Sequence, residues 1–203
     1  MKIFYILLTF ILFSNVCAKE NNDLKRLENI IQSQPQNEGL NLPKHDFRTV
    51  NLDMENLLSF KGSNFEKANF SGTLQNPKVI TNIDFTNCNL NEADFSYTII
   101  TKCKFNNSQL NKANFDGAVI KFTSFHSAFL TESNFSSTNQ ESVGFDSANL
   151  QCSAWDNANI FRLSFTRSDE RGLVKNNIKE KHCSHEDGVG TKLLESFKCP
   201  STK

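Results

Sequence analysis

The sequence predicts an all-β solenoid of square cross-section, and three observations carry that prediction. From Phe60 to Phe165 every fifth residue belongs to one series of twenty-two centres, all apolar except Gln75 and Gln140. Every fourth member of the series is alike: residues 65, 85, 105, 125, 145 and 165 are Phe, 90, 110, 130 and 150 are Leu, and 80, 100, 120 and 160 are Ile. Small residues recur two positions ahead of the centres, as at Ala68, Ala93, Ala113, Ala128 and Ala148. A helix repeats its faces at 3.6 residues and a flat strand at 2, so neither produces a strict five. A chain that turns a corner every five residues does, with one central side chain pointing inward from each side. A period of twenty then stacks like on like from turn to turn, in a register that runs through the block without slippage.

Taken in order, the chain opens with Lys2, an apolar run of eleven residues over 3–13, and Val16-Cys17-Ala18 ahead of the charged Lys19-Glu20. That pattern predicts a secretory signal peptide over 1–18, cleaved after Ala18. Eleven apolar residues are too few for a membrane helix, which needs about 20, so no membrane span is expected after cleavage. The predicted destination is secreted or periplasmic. Residues 19–41 form an N-terminal helix and linker: Leu24, Leu27, Ile30 and Ile31 fall at helical spacing over 23–34, and Pro35 follows. Such a short amphipathic helix would cover the open edge of the first coil.

Residues 42–169 are the solenoid. A second register at Phe47, Leu52 and Leu57 predicts an irregular first coil. Asn or Asp precedes many centres, as at Asn64, Asp84, Asn114 and Asn134; their short polar side chains bond nearby backbone and favour turns. At about 4.8 Å per stacked strand the regular block makes a rod on the order of 26 Å long. Each turn buries its apolar face only against its neighbours, so stability is roughly a sum over turns and end caps. The pattern stops at Glu170, and residues 170–203 form a C-terminal cap or a tail.

Segments such as Ala68-Asn69-Phe70-Ser71-Gly72, Ala93-Asp94-Phe95-Ser96-Tyr97 and Ala113-Asn114-Phe115-Asp116-Gly117 resemble the repeat unit of the pentapeptide repeat proteins, over about half the chain. The resemblance implies that family's fold, a right-handed quadrilateral β-helix. It implies no single function, because partners are read by the outer surface. The family's best-known activity, inhibition of DNA gyrase by acidic rods that imitate DNA, is the alternative reading. Charge opposes it, since 22 basic residues balance 22 acidic ones, and so does export away from the cytoplasm. The same neutrality argues against binding nucleic acid.

No phosphate loop, nucleophile elbow or paired metalloprotease motif occurs, and the carboxylates are scattered around the rod. His182, Cys183, His185 and Glu186 are the one cluster with metal-ligand chemistry, and it lacks a second spaced pair. The expectation is a non-enzyme with no catalytic residues, metal or cofactor. Cys88 and Cys103 occupy interior positions as compact apolar groups. Cys152 faces outward, either free or paired with a tail cysteine. In an oxidising compartment Cys183 and Cys199 make a reasonable disulfide, though the residue order leaves the pairing open.

On the wall centred on Ile80, Ile100 and Ile120, the preceding residues are Val79, Ile99 and Val119, where other walls carry Asn or Asp. In the family such positions point outward, which places three β-branched side chains in one stripe with Tyr97 and Phe122 beside it. Exposed contiguous apolar surface marks interfaces; a plain preference of β-branched residues for extended backbone accounts for the stripe equally well. As an interface it would serve an unknown protein partner or a second copy in a homodimer. The predicted function is therefore an exported, non-catalytic scaffold or protein-binding module that acts through its outer walls.

Overall fold

A computed structural model describes residues 39–185 and Cys199. The signal peptide expected over 1–18, the helix expected over 23–34 and Glu186 lie outside the described residues.

The chain winds into a four-walled parallel β-solenoid. Seven strands stack in sequence order on one wall, here the strand wall: β1 (Leu52–Ser59), β2 (Lys78–Asp84), β3 (Thr98–Thr101), β4 (Val119–Lys121), β5 (Asn139–Glu141), β6 (Asn159–Phe161) and β7 (Lys179–Lys181). All their pairings are parallel. The other three walls are columns of single parallel bridges, for example Lys104↔Ser124↔Gly144, Gln109↔Phe129↔Asn149 and Asn114↔Asn134↔Ala154.

Turn chemistry explains why the chain corners where it does. Outside the loop over 71–77, the residue two after each centre takes a positive φ, from Lys67 at 57° through Asn107 at 56° to Arg167 at 58°. The amide one residue further on donates to the centre's carbonyl, as from Ala113 to Leu110 at 3.0 Å and from Ala128 to Phe125 at 3.0 Å. This is a turn that demands left-handed backbone at its third position. Where the buried corner residue is Ser or Thr rather than Ala, its hydroxyl donates to the same carbonyl: Thr98 to Phe95 at 2.6 Å, Ser108 to Phe105 at 2.6 Å, Ser153 to Leu150 at 2.7 Å. The Asn and Asp ahead of the centres accept from the amide two residues on, as Asn114 does from Asp116 at 3.1 Å and Asp94 from Ser96 at 2.9 Å. Buried polar groups at the corners are thus satisfied within each side.

The interior is filled by aromatic columns. Phe85, Phe105, Phe125 and Phe145 stack with centroids 5.0, 4.8 and 5.0 Å apart. Phe95, Phe115 and Phe135 stack at 5.1 and 4.8 Å, and Trp155 continues the column at 4.6 Å. The two columns meet edge to face, as Phe115 and Phe125 do at 90°. Offset stacks within columns and T-shaped contacts between them are the arrangements that ring quadrupoles favour.

Two details of the expected ladder are corrected. Phe65 is not the first rung of the Phe85 column. Phe60 stacks on Phe85 at 5.8 Å, while the Phe65 amide bonds the Asn89 carbonyl and so places Phe65 against Leu90. The step here is 25 residues, because residues 71–77 leave the wall as a loop that exposes Leu74 and Gln75. Five extra residues preserve the period of five, which hides the excursion in the residue order. Gly72 seats the loop, since a Cβ there would lie 2.3 Å from the Lys78 nitrogen. In the first coil, Phe47 and Leu52 are buried as expected, but Leu57 is exposed and Leu58 takes the inward place. The cause is the break of register between Asp53 and Leu58 within β1.

The backbone pattern also continues past Glu170. Ala154↔Val174, Asn159↔Lys179 and Ser164↔Ser184 extend three of the walls by one further coil.

Candidate functional site

A solid interior leaves the outer walls as the place for chemistry. The strand wall carries the expected stripe in register, Val79↔Ile99↔Val119. All three are half-buried, while the inward neighbours Ile80, Ile100 and Ile120 are fully buried. On the other side of the inward column, Thr81 pairs Thr101, which pairs Lys121.

Tyr97 and Phe122 occupy the two corners that bound this wall. Both hold φ of 51°, backbone that bulky side chains disfavour. Phe122 is 55% exposed. The Tyr97 ring lies over Gly117, where an added Cβ would come within 2.8 Å of the ring. Large aromatic groups at positions that elsewhere hold Ser, Asn or Lys mark local strain, and strained positions concentrate at functional surfaces.

Residue order gave less warning of Phe161, which follows Ile160 in the outward column Thr81, Thr101, Lys121, Glu141. Its ring is half-buried, with the Arg162 guanidinium 4.7 Å from the centroid and the His182 ring edge-on at 5.5 Å. Counting one residue after each strand-wall centre, as well as one before, would have found it. Between Phe161 and the Asn139–Asn159 pair, joined by a 3.2 Å hydrogen bond, lies an open depression of about 490 Å³. Phe129, 50% exposed, stands alone on a different wall.

Some of the charge on the walls is paired between coils: Lys67 with Glu92 at 3.4 Å, Lys112 with Glu132 at 3.6 Å, Lys121 with Glu141 at 3.0 Å.

The tail cluster does not converge. His182 sits on the outer corner against Phe161, whereas His185 stacks on Phe165 at 4.7 Å and reaches Glu170 and Glu180. Among the described residues no group of three or more His, Cys, Asp or Glu is placed to hold a metal ion. The cysteine pairing is corrected: Cys199 is bonded to Cys152, with Cα atoms 5.6 Å apart, and Cys183 is free. Cys152 lies two residues after Leu150 on an outward corner, and the Cys199 sulfur also contacts the Gly172 carbonyl one coil further on, at 3.4 Å. Cys88 and Cys103 are buried, and burial pushes both thiols up to about 12.

These features define a class: a four-walled parallel solenoid with five-residue sides, solid inside, that displays its chemistry on its walls. Residues 80–107 and 99–136 match the family model of pentapeptide repeats, in 8 copies. The pentapeptide repeat family is supported by that match and by solved structures of the same fold. None of the curated proteins matches. A trypsin-treated form of QnrB1, a plasmid-mediated fluoroquinolone resistance protein, is similar with a TM-score of 0.51 at 12% identity, over 74% of each chain. A pentapeptide repeat protein of the Arabidopsis thaliana thylakoid lumen is 30% identical over 42% of this chain and 63% of its own, with a TM-score of 0.30. HetL, involved in heterocyst differentiation regulation in Nostoc sp. strain PCC 7120, is 14% identical over 81% of this chain and 97% of its own, with a TM-score of 0.25. The roles of these neighbours differ.

Proposed function

We propose that the chain is an exported, non-catalytic protein-binding module that engages its partner through the strand wall. The observation that carries this reading is the in-register column Val79, Ile99 and Val119, bounded by Tyr97 and Phe122 at strained corners. β-branched side chains suit any strand, but strand propensity gives no reason for bulky aromatics at positive φ on either side of the same stripe. Export is supported by the apolar run over 3–13 ahead of Val16-Cys17-Ala18 and by the Cys152–Cys199 disulfide, a bond that persists in oxidising compartments. An acidic, duplex-like wall is disfavoured by the lysine–glutamate pairs that neutralise neighbouring coils. The rod is read as right-handed on the family resemblance.

Affinity capture from the native compartment tests the proposal, using residues 19–203 beside an Ile99→Asp, Val119→Asp variant. Both side chains point outward, so circular dichroism of the variant should match the parent. A protein retained by the parent and lost by the folded variant is the expected result. Equal capture by both moves the function to another wall. N-terminal sequencing of the exported chain checks for a start at Lys19.

A further inference from the structure

The strand wall carries opposite charge at its two ends. β1 exposes Asp53 and Glu55 at the lower end, and at the upper end Lys179 and Lys181 of β7 are exposed with Arg162, at the corner after β6. None of these five has an ion-pair partner among the described residues. Lys102, at the corner after β3, is a further exposed cation without an ion pair among the described residues. Other charges on or beside this wall are engaged: Arg48 with Asp46 at 2.7 Å, Lys121 with Glu141 at 3.0 Å, Glu180 with His185 at 2.6 Å, and Lys78 with the carbonyls of Arg48 and Val50. Between the charged ends lie the stripe Val79, Ile99, Val119 and the uncharged Thr81 and Thr101.

We infer that the strand wall pairs with the strand wall of a second copy, the two rods running antiparallel. This rests on reading that wall as the binding surface, and it names the partner. A two-fold axis along the strand direction through β4 sets β1 opposite β7 of the second copy, β2 opposite β6 and β3 opposite β5. Asp53 and Glu55 then meet Lys179 and Lys181 twice, once at each end. Val119 meets its own copy on the axis. Thr81 meets Phe161. Lys121 also meets its own copy, with its charge held by Glu141.

Charge decides the direction. A parallel pairing would set Lys179 and Lys181 against their own counterparts at one end, and Asp53 and Glu55 against theirs at the other. Facing like charges are costly, so the parallel arrangement is selected against. The depression beside Phe161 and the two lysines is where the acidic first coil of the second copy approaches.

Size sets the strength. Seven strands at about 4.8 Å and three residues at about 3.3 Å make a face on the order of 30 by 10 Å. That is about 600 Å² over the two copies, below the range of stable interfaces, so the pairing is a weak, transient one expected only toward the upper micromolar range, and it should weaken with salt.

Sedimentation velocity of the full chain, from about 1 to 300 µM, tests the inference. The expected result is a concentration-dependent shift from one copy to two that recedes in 0.5 M salt. Lys179→Glu with Lys181→Glu should raise the dissociation constant at least tenfold. Adding Asp53→Lys and Glu55→Lys should restore the dimer, because the antiparallel arrangement again sets unlike charges together; a parallel one would stay repelled. Circular dichroism controls for folding in each variant. A chain monomeric at every concentration overturns the inference, as does a dimer indifferent to both the salt and the reversals. If the chain is monomeric while Ile99→Asp with Val119→Asp still abolishes capture of a different protein, the pairing is wrong and the binding wall stands. If neither assay responds to the wall, both readings fall.

Discussion

The regular coils around Phe105 and the last described coil, from Glu170 to His185, share one backbone and differ in what they place inside it. In the regular coils four centres fill each layer, all apolar except Gln140. In the last coil the same positions are Glu170, Lys175, Glu180 and His185, yet the bridges of the strand wall and its neighbours continue. The corner backbone continues too, with positive φ at Gly172, Asn177 and His182. The winding is therefore propagated by turn chemistry and by the ladder below, and does not require an apolar centre. What the apolar centres supply is the burial that makes the winding stable.

The polar layer holds together through its own contacts. His185 lies flat on Phe165, at 4.7 Å and 7°, and bridges Glu170 at 3.3 Å and Glu180 at 2.6 Å. Lys175 reaches Glu170 at 3.4 Å, and Ser168 donates to the same carboxylate at 3.0 Å. Glu170, buried under this coil, keeps partners.

The largest expected contrast comes from one substitution made in both regions of a single column. Phe105→Ala removes a ring held between two others and should cost about 3–5 kcal/mol, whereas His185→Ala should cost less than about 1 kcal/mol, since its site faces solvent. Urea denaturation of the two variants measures this. Equal losses would mean that the last described coil is as much core as the coil of Phe105.

Next in size is the covalent tie across the boundary. Cys152–Cys199 closes a loop with a separation of 47 residues, which the chain-entropy account values at about 4 kcal/mol. Cys199→Ser should lower thermal stability, with amide exchange rising first in residues 170–185 and least around Phe105. Uniform loss along the rod would show that the bond acts on the whole solenoid.

Gln140 is a polar centre inside the regular region. Its amide nitrogen donates to Thr138 at 3.0 Å, but its buried carbonyl oxygen lacks a partner. It stands between Ile120 and Ile160 on the strand wall. Gln140→Ile should stabilise by about 1–2 kcal/mol, because it removes an unsatisfied acceptor and extends the Ile column. Destabilisation would point to a hidden partner for that oxygen.

The smallest effect belongs to the ion pair on the boundary. Asp169 is held below the usual carboxylate range, first by its hydrogen bonds from Arg171, at 2.6 and 2.9 Å, against the opposing effect of burial. A depressed carboxylate stabilises the fold above its unfolded pKa and loses that contribution as pH falls through its folded value. Asp169→Asn should thus matter at neutral pH, by less than about 1 kcal/mol for so exposed a pair, and cease to matter in acid. A loss that persists unchanged at low pH would show that hydrogen bonding rather than charge carries the effect.

The period of five and its nested twenty were legible because each side of the coil needs one inward residue at a fixed place, and that need recurs in every turn. Counting placed Cys88 and Cys103 in the core and Val79, Ile99 and Val119 in one column; that the column points outward came from the family resemblance. Counting fails where a change respects the period. The loop over 71–77 adds five residues and leaves the register intact, so Phe60 rather than Phe65 meets Phe85. It fails also where pairing is three-dimensional: Cys199 meets Cys152 because a corner of the Leu150 turn lies beneath Gly172, a neighbourhood twenty residues apart along the chain. The last coil escaped for a further reason. Hydrophobic pattern reports which turns bury apolar surface, whereas the backbone ladder extends as far as an amide below finds a carbonyl above, whatever the side chain between them.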